Sequence, residues 1–128
     1  MFRSFYKINK LLVYSLWGFF ALSCYAQSQA PTKKDIRYSQ EFERSILDLW
    51  LAESKKPTPL VVNFHGGGFR MGDKGLFNRN PILKKYLPEG VSFASVNYPF
   101  VQQVDGNYAK ILEHCTESIL FLKKNAKK

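Results

Sequence analysis

Sulfur and histidine are scarce in this 128-residue chain, which holds two cysteines, Cys24 and Cys115, and two histidines, His65 and His114. One cysteine pair can make at most one bridge, so a disulfide-stapled scaffold is excluded. Two histidines and two cysteines at unrelated spacings supply no metal ligand set, and no cofactor motif takes their place. A phosphate loop is also excluded, because Gly66 to Lys74 lacks the Gly-Lys-Ser or Gly-Lys-Thr ending. Acidic residues are missing before Asp35, and no apolar run reaches the roughly 20 residues that a helix needs to cross a bilayer. Internal repeats are absent as well.

What is present at the start reads as an export signal. Arg3, Lys7 and Lys10 form a basic opening, and Leu11 to Leu22 is apolar apart from Ser15 and Gly18. Small residues follow at Ser23-Cys24-Tyr25-Ala26, which suits cleavage after Ala26 and an exported protein, periplasmic or extracellular. Acylation of Cys24 is the lesser alternative, because Leu22 stands one place late for a lipoprotein site. Cleavage leaves Cys115 as the one internal cysteine, most simply a small buried hydrophobe. The mature chain then has no stable membrane span.

The formal charge of +9 overstates the basicity of the working part. The signal holds three of the 19 Lys and Arg and none of the 10 Asp and Glu, so the remainder carries +6. Five lysines crowd between Lys110 and the C-terminus without interleaved aromatics, which argues against a nucleic-acid surface. A helix end whose cations suit the C-terminal dipole accounts for Lys123, Lys124, Lys127 and Lys128.

Residues 27–44 read as a leader, of which Gln27 to Lys34 is polar and contains Pro31. Ile46, Leu47, Leu49, Trp50 and Leu51 predict an early strand. Lys55-Lys56-Pro57-Thr58-Pro59 is a turn into a second β-rich run, Leu60 to Phe64. Asn80 to Leu87 suits a short helix with Pro81 in its first turn. Val91 to Asn97 is a third β-rich run, closed by Tyr98-Pro99. Tyr108, Ile111, Leu112, Cys115, Ile119 and Leu122 then recur at helical spacing, with Asn107 as the N-cap. Alternating strands and helices predict an α/β sheet over residues 45–128, with Leu60–Phe64 and Val91–Asn97 as parallel neighbours.

His65-Gly66-Gly67-Gly68-Phe69 follows the second run directly. Three glycines after a buried strand leave the backbone unobstructed and free to take positive φ, so that successive N–H groups can converge on an anion. The plainer possibility is a sharp strand exit without chemistry. The surrounding residues Val62-Asn63-Phe64-His65-Gly66-Gly67-Gly68-Phe69 resemble the strand and oxyanion loop of the carboxylesterase and hormone-sensitive-lipase-like branch of α/β-hydrolases. Gly72-Asp73-Lys74, Ser95-Val96-Asn97-Tyr98 and the helix Ile111 to Ala126 extend the similarity, which covers about residues 45 to 126. Where a typical member has Asp-Tyr-Arg, this chain has Asn97-Tyr98-Pro99.

The resemblance implies the N-terminal part of an α/β-hydrolase fold, a mostly parallel sheet with flanking helices, acting on a small-molecule ester. It implies that the N–H groups of Gly67 and Gly68 bind the oxyanion, with His65, Gly66 and Phe69 shaping the loop. The triad of serine, acid and histidine is not found. Gly90-Val91-Ser92-Phe93-Ala94 has the spacing of a nucleophile elbow, but its serine opens a strand instead of sitting on a strand-to-helix turn. His114, beside Glu113 in the last helix, reads as a solvated or cap-side histidine. The alternative to a partial esterase is a non-catalytic hydrolase-fold remnant that binds a ligand or partner.

Overall fold

A computed structural model describes residues 28–126. The expected signal and its cleavage site lie outside the described residues. Four strands form one sheet: β1 (Lys33–Arg37), β2 (Ile46–Trp50), β3 (Leu60–Phe64) and β4 (Ser92–Val96). Two helices, α1 (Pro81–Tyr86) and α2 (Tyr108–Asn125), accompany 3-10 turns at Lys74–Arg79 and Val101–Val104.

The strand order is β1-β2-β4-β3. β3 and β4 run parallel, from Leu60 opposite Ser92 to Phe64 opposite Val96, as the two β-rich runs predict. β2 pairs antiparallel with both β1 and β4. Where a mostly parallel sheet is expected, the described strands make a mixed one, because β1 and β2 join its parallel pair in antiparallel fashion. β4 lies in the interior with all five residues buried, and its Ala94, Ser92 and Ser95 leave room for the layers on either side.

Alternation along the strands sorts the two faces. Leu47, Leu49, Val62, Phe64, Ala94 and Val96 turn towards Leu122 and Phe121 of α2. Trp50 and Phe93 turn the other way, onto Phe77 and Leu83 of the first 3-10 turn and α1. Each such buried side chain contributes about 1.5–3 kcal/mol.

The helix ends follow their sequence signals. Asn80 caps α1, accepting from the Ile82 N–H at 3.1 Å, with Pro81 next in line. Asn107 caps α2 by accepting from Lys110 N–H at 3.2 Å. The buried stripe of α2 is Ile111, His114, Ser118 and Leu122, whereas Tyr108, Leu112 and Ile119 are exposed. The helix is thus rotated from the face its apolar spacing suggests; the buried Ser118 hydroxyl donates to Cys115 O of its own helix, and the buried His114 reaches out to the half-exposed Glu41 at 3.1 Å. Two further points differ from expectation. Strand β1 begins inside the stretch read as a leader, and His114 is buried.

Candidate oxyanion loop

The carboxyl ends of parallel β3 and β4 lie side by side, the place where open α/β sheets bind ligands. Residues 65–72 leave β3 there. His65 is buried, whereas Gly66, Gly67 and Gly68 are exposed. Gly67 has φ +123°, and a Cβ on it would lie 2.0 Å from the Met71 carbonyl oxygen. The turn is closed by the Gly67 carbonyl, which accepts from the Arg70 and Met71 N–H groups at 3.1 and 3.3 Å. Gly68 and Phe69 are left-handed, with φ +61° and +60°. Among the described residues, no acceptor takes the N–H of Gly67 or Gly68.

Phe69 holds the far side of the loop. Its carbonyl accepts from Val101 N–H at 2.8 Å, and its ring meets Tyr98 and Tyr108 edge-on, each with centroids 5.8 Å apart. The imidazole of His65 stacks on Tyr98 at 4.4 Å. Tyr98 donates its hydroxyl hydrogen to the His65 carbonyl, and burial raises its pKa, which keeps that hydrogen in place. The His65 Nδ1 lies 2.8 Å from Gly66 O, and Nε2 lies 3.3 Å from an Arg44 guanidinium nitrogen.

Asn97, just past the end of β4, anchors the Asp73–Lys74 turn. Its side-chain oxygen accepts from Lys74 N–H at 2.7 Å, and its amide donates to Asp73 Oδ2 at 2.8 Å. Burial opposes ionisation of Asp73, yet the Asn97 amide and the Gly75 N–H hold its carboxyl below the usual range. The neighbouring Lys74 ammonium is buried between Asp48 at 2.8 Å and Asp35 at 2.7 Å. Burial works against its charge, and these two carboxylates outweigh that and raise its pKa.

Neither imidazole hydrogen-bonds a serine among the described residues. Ser92 Oγ, the serine at the elbow-like spacing, accepts from Ala52 N–H at 3.0 Å and lies 2.7 Å from Thr58 Oγ1. It is a buried strand residue, as its context predicts. Among the described residues, no group of three His, Cys, Asp or Glu is placed to hold a metal. Arg44 lies in the stretch that reads as a leader, and no local sequence pattern marks it.

A sheet with helices on both faces and a glycine loop at its carboxyl edge defines a part of an α/β-hydrolase-type esterase fold. The BD-FAE family model matches residues 47–128, and the chain belongs to that family of α/β-hydrolase-like esterases. Among solved structures, esterase B from Lactobacillus rhamnosis superposes with TM-score 0.62 at 22% identity, covering 89% of this chain and 38% of that one. A truncated carbohydrate esterase from gut microbiota gives 0.61 at 15%, covering 79% and 35%. A bifunctional GH43-CE protein of Bacteroides eggerthii gives 0.61 at 23%, covering 73% and 12%. These likenesses are of fold, and this chain spans well under half of each protein. No curated protein matches the sequence. Among the described residues, no helix is long and apolar enough to cross a membrane.

Proposed function

We propose that this chain supplies the oxyanion-hole loop of an exported carboxylic-ester hydrolase, with the N–H groups of Gly67 and Gly68 as donors. One observation carries the reading: two successive N–H groups of exposed glycines without an acceptor among the described residues, at the carboxyl end of a parallel strand pair. Donors held in place before reaction stabilise the tetrahedral oxyanion without reorganising. The nucleophilic serine, its histidine base and the orienting acid come from sequence after Lys128, in the chain order of α/β-hydrolases. Two features support this: the described sheet leaves β3 as an edge with Leu60 and Val61 exposed, and the structural neighbours are more than twice as long. The substrate is a small carboxylic ester; esterase B is known with a tributyrin phosphonate inhibitor. Residues 1–26 serve as the export signal, so the exported protein begins at Gln27, which its mass checks.

The decisive variant is Gly68→Pro in the full gene product. Proline removes the donor and demands φ near −65°, where this position has +61°. Hydrolysis of a p-nitrophenyl ester should fall on the order of 100- to 1000-fold, the effect of losing one oxyanion donor. Unchanged turnover in a folded variant would remove the role.

A further inference from the structure

We infer that Arg44 is the positioning residue of the glycine loop: it selects the tautomer of His65 and thereby aims the Gly67 N–H. This rests on the oxyanion reading given above. Three segments meet on the one guanidinium. Its Nε donates to Tyr98 O at 3.1 Å, beyond the end of β4. One terminal nitrogen, Nη2, donates to Gly72 O at 3.0 Å and faces His65 Nε2 at 3.3 Å, so it spans the last and first residues of the loop. The cation lies 3.8 Å from the centre of the Phe100 ring, which fixes its plane. Gly72 permits the closure, since a Cβ there would stand 2.4 Å from His65 Nδ1.

The chemistry then runs in one direction. Arginine has donors and no acceptor, so Nε2 of His65 must accept from it. The ring hydrogen is therefore on Nδ1, and it is donated to Gly66 O at 2.8 Å. The Gly66–Gly67 peptide is planar and trans, so its C=O and N–H point in opposite directions. Holding Gly66 O against the imidazole turns the Gly67 N–H outward, away from His65. Without Arg44, Nε2 loses its donor, the Gly66 carbonyl alone then favours the hydrogen on Nδ1, and in the shifted tautomer the Tyr98 hydroxyl, 3.3 Å away, can donate to Nδ1. Gly66 O would then face the Nδ1 lone pair, and the peptide would be free to turn. Lysine cannot reproduce the role, because a single ammonium cannot keep a planar fork over Phe100 while serving three acceptors.

The test compares Arg44→Met and Arg44→Lys with the unsubstituted full gene product, using side-chain ¹⁵N NMR of His65 alongside ester kinetics. Unsubstituted protein should show a protonated Nδ1 and a bare Nε2. Arg44→Met should move hydrogen towards Nε2 and lower kcat about 10- to 100-fold, with KM within about twofold, as expected for a misplaced catalytic group. Arg44→Lys should recover less than about a tenth of the lost kcat. If Arg44→Met does not fold, Arg44→Lys carries both measurements. A variant that keeps the Nδ1-protonated ring overturns the inference, and so does one whose tautomer shifts at unchanged kcat. Failure of the oxyanion reading is distinguishable: Gly68→Pro would then leave turnover unchanged, whatever the His65 spectrum shows.

Discussion

Two polar clusters, one at the glycine loop and one on α2, each contain a histidine, basic side chains and carboxylates, and they are held in opposite ways. Around the loop, Lys74 is 4% exposed and Asp48 fully buried, with Asp35 the one half-exposed carboxylate on that ammonium, and Arg44 spends its donors on two carbonyls and an imidazole. On α2, His114 is buried, but Glu41 and Lys110, which bridge at 2.9 Å, are 49% and 35% exposed. His114 Nε2 meets Glu41 at 3.1 Å. Its Nδ1 lies 3.3 Å from Glu117 without the alignment of a hydrogen bond. A charge taken out of water is costly unless its partners are placed for it, so a buried set is bound to one geometry. A solvated set is not. The first arrangement holds the backbone of the glycine loop in one shape, and the second attaches the segment of Glu41 to α2.

The sharpest way to break the comparison is to remove a charge from the buried set. Lys74→Met leaves Asp48 buried without its cation, while Asp48 Oδ2 already lacks a partner. Loss of one member of such a pair costs about 3–5 kcal/mol, which urea unfolding at pH 7 would register as a large drop in midpoint. A loss below about 1 kcal/mol would place the Lys74 set with ordinary surface pairs.

The contrast also explains what could be read from sequence. β2, β3, β4 and the two helices were legible because apolar runs, caps and prolines are local signals, and the glycine loop because three glycines in a row are rare outside a tight backbone path. β1 was not, since Lys33, Lys34 and Asp35 are an exposed edge strand with a register irregularity, and Asp35 takes φ +55°. Arg44 and His114 were missed or misread for a shared reason. Their partners, His65 for one and Glu41 for the other, lie 21 and 73 residues away, and no periodicity records such a contact. Asn97 stood out as a departure from the Asp-Tyr-Arg pattern, yet only the fold shows its amide facing the Asp73 carboxylate.

That contact gives a smaller and pH-dependent test at the loop. Asn97→Asp would set a second carboxylate 2.8 Å from Asp73 Oδ2 in place of a donor. Asp73 is open enough to water to screen part of the repulsion, so a loss of about 1–2 kcal/mol is expected at pH 7. One of the two carboxyls must bind a proton more readily than usual, and the deficit should shrink as pH falls below about 5. A deficit independent of pH would mean that lost shape rather than charge is responsible.

The smallest effect belongs to the solvated set. The Lys110 ammonium holds the Glu41 carboxyl below its ordinary value of 4.5, and His114 adds to this. A depressed carboxylate contributes stability above its unfolded pKa and loses it as pH falls through the folded one. Glu41→Gln should therefore lower Tm slightly at pH 7, and the difference from the unsubstituted protein should close towards pH 3. Salt at 1 M should reduce it as well, because the Debye length there is only about 3 Å. The substituted glutamine can still accept from Lys110, so the change isolates charge from shape. A Tm difference that persists at pH 3 and in high salt would mean that the Glu41–His114 contact acts by packing, and the division between a buried, geometry-fixing cluster and a solvated one would fail at α2.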